Sequence, residues 1–145
     1  MTLTTKKTVA PKPSKSSADG AMGHQAMKSA GTRAKLIDAT IRCIVKHGYA
    51  NMTTPLVAAE AGLSRGAMLH HFNNGSALIK ATITELHERR LSAFRRGSET
   101  YADNSHEMIR DYWRQLQKPG FIAFHELALA ARTNSDLAAI LHPMQ

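Results

Sequence analysis

The sequence predicts an all-α fold: a three-helix head carrying a helix-turn-helix, followed by further, shorter helical structure. Three observations lead there. Apolar residues recur at helical spacing in most segments, and no convincing strand alternation appears. Helix caps and stops punctuate the chain between Thr32 and Pro143. Of the 145 residues 43% are hydrophobic but only 6% aromatic, a balance suited to helices built on Ala, Leu and Ile.

Residues 1–30 hold Thr, Lys, Ser, Pro, Gly and Ala without a period. Such a segment cannot bury enough apolar surface to offset chain entropy, so a disordered basic tail is expected there. The first helix is expected from about Thr32 to His47, with Leu36, Ile37, Ile41, Ile44 and Val45 inward and Gly48 as its stop. Tyr49 should pack back onto it. Cys43, the single cysteine, reads as a small core hydrophobe and excludes an internal disulfide, as expected of a reducing cytosol.

Thr53 is placed to cap a short second helix from Thr54 to Ala61, with Pro55 in its first turn, where a missing N–H does no harm. Gly62 can turn the chain, Leu63 is the turn's apolar residue, and Ser64 caps a third helix over Arg65–His71. Asn74 should cap a long fourth helix to about Arg96, with Leu78, Ile79, Ile83, Leu86, Leu91 and Phe94 apolar. Arg89, Arg90, Arg95 and Arg96 near its end are expected to form a solvated face. A fifth helix, about His106–Gln117, carries Met108, Ile109, Tyr112 and Trp113. A sixth covers Phe121–Arg132, and Asn134 caps a last one through Leu141. Leu86, Phe94, Tyr112, Trp113, Phe121 and Phe124 are expected in the core.

Helix, three-residue glycine turn, helix over residues 54–71 is the pattern in which the second helix enters the DNA major groove. That explains why Arg65–His71 is short and poor in apolar residues: only part of it packs on the core. Arg65 can meet a phosphate or a guanine edge. Ala67 lets the backbone approach and can touch a thymine methyl. His70 can donate to a phosphate or base. Thr53 and Thr54 open a helix whose free N–H groups suit a phosphate. Met68 is either core filler or a groove contact, and Phe72 anchors the helix in the core.

Charge agrees. The net charge is +8, and it lies in the first 80 residues; residues 81–145 balance eight basic against eight acidic side chains. A basic front suggests a polyanion partner. Neighbouring histidines point about 100° apart on a helix, so His70 and His71 do not suit one metal ion. No nucleophile–base set and no Gly-rich phosphate loop can be assembled, so neither an enzyme nor a cofactor is expected. No apolar run approaches the roughly 18 residues of a membrane span, and the N-terminus has no secretory apolar stretch.

Arg33, Leu36-Ile37, Gly48-Tyr49, Thr53, Ala61-Gly62-Leu63-Ser64, Gly66 and His71-Phe72 form an ordered set over about fifty residues. Thr32 to Leu86 thereby resembles the DNA-binding head of the tetracycline-repressor (TetR) family of bacterial regulators. Glu126 to Leu141 is similar to a segment of the regulatory domain of some members. The resemblance implies a cytoplasmic regulator, usually a repressor, that acts as a homodimer on inverted-repeat double-stranded DNA and answers to a small-molecule effector. It implies phosphate contacts for Arg33 and Asn74, adds Ser64, Leu69 and His71 to the DNA-facing set, and divides the chain into a tail (1–30), a head (31–76) and a body (77–145). Leu69 stands where members commonly carry a phosphate-touching tyrosine, and Gly75 where they carry a phosphate-binding lysine. The family's last two helices, its usual dimer interface, lie beyond Gln145, so a partial regulatory domain with an uncovered apolar surface is expected. The other reading is a helical interaction protein that pairs with a full-length regulator.

Overall fold

The computed structural model describes residues 17–101 and 104–144. Within them the chain forms α1 (Ser17–His47), a 3-10 turn at Tyr49–Asn51, α2 (Thr54–Glu60), α3 (Arg65–His71), α4 (Gly75–Thr100), α5 (Ser105–Leu116), α6 (Pro119–Ala131), α7 (Ser135–Leu141) and a closing 3-10 turn at His142–Met144. There is no strand among the described residues. Asn74, Asn104 and Asn134 cap α4, α5 and α7, each side chain accepting a backbone N–H in the first turn.

α1 is longer than expected. It begins at Ser17, so residues 17–30, assigned by composition to a structureless tail, are helical; residues 1–16 of that tail lie outside the described residues. The cause is cooperativity. The packed half of α1 offsets nucleation, and each residue added upstream needs only one further hydrogen bond. Ala21, Ala26 and Ala30 favour that growth although nearly all of residues 20–31 are exposed.

Two apolar clusters share α1. Leu36, Ala39 and Cys43 pack on Val57 and Ala58 of α2, Met68 of α3, Phe72 and Leu78. Ile41 and Ile44 pack with Ile79, Ile83 and Leu86 of α4, with Ala123, Phe124 and Leu127 of α6, and with Leu137 and Leu141 of α7. Thr40 and Thr82 are buried with them, and their hydroxyls donate to Leu36 O (2.8 Å) and Leu78 O (2.9 Å), which meets the cost of burying them. Val45, expected inward, is on the exposed side of α1.

The arginine cluster on α4 is not uniformly a solvated face. Arg89 donates to Asp38 Oδ1 on α1 and to Glu85 Oε1, both at 2.8 Å. The Arg90 guanidinium lies 3.8 Å over the Phe124 ring. Arg95 and Arg96 are exposed as expected.

The expectation of a packed α5 is corrected. No residue of α5 is buried. Tyr112 and Trp113 are more than half exposed, and so is Ile109; Phe94 on α4 is 75% exposed. Tyr112 meets Phe121 edge-on at 6.5 Å, while Met108, Ile109 and Trp113 of the same helix stay exposed. No described helix is long and apolar enough to cross a membrane.

Candidate nucleic-acid interface

The geometry of the two short helices follows from local chemistry. The Thr53 hydroxyl accepts the Leu56 N–H (3.4 Å) and starts α2, and Pro55 sits in the first turn. Gly62 has φ 68°, a left-handed conformation that side chains rarely adopt. The Gly62 and Leu63 N–H groups close the end of α2 on Ala59 O (3.0 Å) and Ala58 O (2.9 Å). The Ser64 hydroxyl accepts the Ala67 N–H (3.1 Å) and opens α3. Both hydroxyls use an acceptor lone pair for the cap, which leaves their own O–H free to donate.

α3 divides cleanly. Met68 is fully buried and Phe72 follows it into the core, so of the two readings of Met68 the groove contact falls: it is the bolt that holds α3 to α1 and α2. Arg65, Gly66, Leu69 and His70 are exposed and share one arc of the helix; Ala67 and His71 flank it, half-buried. The His70 and His71 rings meet edge-on at 5.4 Å. The described residues contain no group of three or more side chains able to hold a metal ion.

Arg33, expected near a phosphate, makes contacts within the protein. Its guanidinium donates to His71 O at 2.6 Å and lies 4.2 Å over the Phe72 ring. It thus caps the C-terminal end of α3, where a cation also suits the helix dipole. Glu60 at the end of α2 accepts from Arg42 (2.8 Å) and Lys46 (3.0 Å) on α1. The hydrogen bond from Arg42, then that from Lys46, holds its carboxyl below the usual range. Burial, reinforced by the nearby Glu60 charge, pushes the Cys43 thiol up.

Asn74 Oδ1 accepts the Ala77 N–H at 2.8 Å, leaving its amide N–H groups outward. Next to it, a Cβ on Gly75 would lie 3.1 Å from the Thr54 methyl. The starts of α2 and α4 therefore abut at Thr54, which is half-buried. It also accounts for a glycine at 75. Gly66, which spacing alone did not single out, is exposed on the same arc of α3 as Arg65. A Cβ there would find only Ser64 Oγ, at 4.0 Å, so nothing in the chain requires a glycine.

Comparison with known proteins agrees with this geometry. Residues 36–82 match the family described as bacterial regulatory proteins, tetR family. The HTH-type transcriptional regulator TtgR of Pseudomonas putida is 36% identical over 111 residues, covering 77% of this chain and 49% of that one. The multidrug binding protein EbrR, solved with ethidium, is 30% identical, with 77% of this chain and 67% of that chain covered and a TM-score of 0.58. GusR of Salmonella enterica shares the fold at 21% identity and a TM-score of 0.60, over 79% of this chain and 60% of that one. The chain spans about half the length of the curated relatives it matches. An all-helical chain with this helix-turn-helix and these relatives belongs to the TetR family of bacterial regulatory proteins.

Proposed function

We propose that the chain is a sequence-specific DNA-binding transcriptional regulator, acting as a repressor, that reads the major groove with the exposed arc of α3. The observation that carries this is the division of α3. One face is bolted down by Met68 and Phe72, and the other presents Arg65, Gly66, Leu69 and His70 to solvent. Arg65 and His70 contact base edges or phosphates, and Ala67 and His71 border the groove. Thr53, Thr54, Ser64 and Asn74 hold the flanking phosphates, and Arg33 keeps α3 in place while its remaining N–H groups reach the backbone. Residues 31–76 form the reading head and 77–145 the body.

A homodimer on an inverted repeat, in the bacterial cytoplasm, and control by a small-molecule effector belong to the same proposal. The EbrR structure with ethidium supports the effector class for a relative. The exposed apolar side chains of Phe94, Ile109 and Trp113 favour a second reading, a helical partner that docks on a full-length regulator and modulates it.

Selection of bound duplexes from a random pool by the purified chain at moderate salt tests both. An enriched inverted repeat, with affinity lost on Arg65→Ala and His70→Ala, supports the regulator. Enrichment of nothing above charge-driven background favours the modulator.

A further inference from the structure

The seam between α6 and the head holds one polar contact that DNA reading leaves unused. Glu126 Oε1 on α6 accepts the Tyr49 N–H at 3.1 Å. Tyr49 opens the 3-10 turn that follows α1, and its N-cap, Gly48, has no side chain to offer. The cap is thus supplied from another helix, 77 residues along the chain. Gly48 has φ 77°, and a Cβ on it would lie 3.1 Å from the same carboxylate oxygen. Backbone conformation and the approach of Glu126 both call for glycine there.

This is the one hydrogen bond among the described residues that joins α5–α7 to residues 17–74. The rest of the seam is apolar, with Ile41 and Ile44 against Ala123, Phe124 and Leu127. Apolar packing is non-directional and tolerates sliding. A bond to a fixed N–H sets a register. Downstream of Tyr49 the path to the reading helix is short: the Met52 N–H bonds Tyr49 O at 3.2 Å, Thr53 caps α2, and Gly62 turns α2 into α3. The Glu126 carboxylate forms no ion pair among the described residues, and it lines an open cleft of roughly 820 Å³ between α6–α7 and the starts of α2 and α4. Solvent therefore reaches the contact, so it can open while the core stays closed.

We propose that Glu126 is a positioning residue for DNA reading, acting from the body by capping the Tyr49 turn and so fixing where α2 and α3 sit. The inference rests on the DNA-binding reading. Its test uses the full chain, the duplex that chain selects, and Glu126→Ala, Glu126→Gln and Arg65→Ala. Glu126→Ala removes the acceptor. It should speed exchange of the Tyr49 amide and of α2 amides about tenfold, leave the amides of Leu36 and Ile83 protected, and weaken duplex binding about tenfold at an unchanged salt slope. Glu126→Gln keeps an acceptor oxygen and should restore both to within about threefold. Normal duplex affinity in Glu126→Ala, or a Glu126→Gln as damaged as Glu126→Ala, overturns the proposal. If Arg65→Ala binds as well as the parent, or no duplex is selected, the DNA reading itself fails. Amide exchange then decides alone: unchanged α2 exchange in Glu126→Ala overturns the cap.

Discussion

Gly66→Ala should make the protein more stable and a poorer DNA binder. Gly66 sits in the first turn of α3 on the exposed arc with Arg65, Leu69 and His70. Its φ is not positive, so alanine fits the backbone, and the added Cβ would find only Ser64 Oγ, at 4.0 Å. Within the chain the substitution only restricts the unfolded state, which is worth about 0.4–1 kcal/mol. For a chain of this size that is a rise in Tm of roughly 1–5 °C. Against DNA the sign reverses. If the α3 backbone approaches the groove at this residue, a methyl holds it off and loosens the neighbouring Arg65 and His70 contacts. A loss of about tenfold, or ~1.4 kcal/mol, is expected. Thermal unfolding and titration of the selected duplex at one fixed salt concentration measure the two effects on the same preparation. Improved stability with unchanged affinity would refute the groove assignment of this face. Reduced stability would refute the claim that nothing in the chain needs a glycine here.

Gly75→Lys should steepen the dependence of log affinity on log salt by about 0.9 per half-site, since it adds one phosphate contact. It should also destabilise the head through the 3.1 Å approach to the Thr54 methyl, and Thr54→Ser should relieve that cost. Cys43 is fully buried and its thiol is raised by that burial, so a thiol reagent at mildly alkaline pH should label the protein only on unfolding. Glu60 is held below the usual carboxylate range by Arg42 and Lys46, so its contribution is present above that range and is lost as pH falls through the lowered folded value. Glu60→Gln should therefore flatten the acid limb of the stability–pH curve, followed by circular dichroism. An environment-sensitive apolar dye should bind the native chain, and Trp113→Ser with Phe94→Ser should reduce that signal without lowering Tm, because both side chains are exposed.

The helix-turn-helix was legible because its signals are local. Thr53, Gly62, Ser64 and Asn74 each act within three residues or so of themselves, and all four perform in the structure the cap or turn expected of them. α7 and its Asn134 cap were legible for the same reason. Periodicity was less informative for Phe94 and Trp113. It shows that a helix face is apolar, not that anything covers it. Met68 could not be assigned from spacing because one side chain suits a core and a groove equally. The start of α1 was hidden because composition reports the stability of a segment alone, whereas residues 17–30 extend a helix already nucleated elsewhere. The contact of Glu126 with Tyr49 crosses 77 residues and leaves no local pattern.

The shared use of α1 bears on how the protein can be taken apart. Leu36, Ala39 and Cys43 belong to one cluster and Ile41 and Ile44 to the other, interleaved on a single helix. A cut after α3 would leave the second set facing water, at about 1.5–3 kcal/mol for each large side chain uncovered. The reading head is therefore a poor module for grafting. A chimera that carries α1–α3 onto another body inherits half of a lock whose key is α4, α6 and α7, and it will hold its helices in place only where the new body offers a matching apolar face.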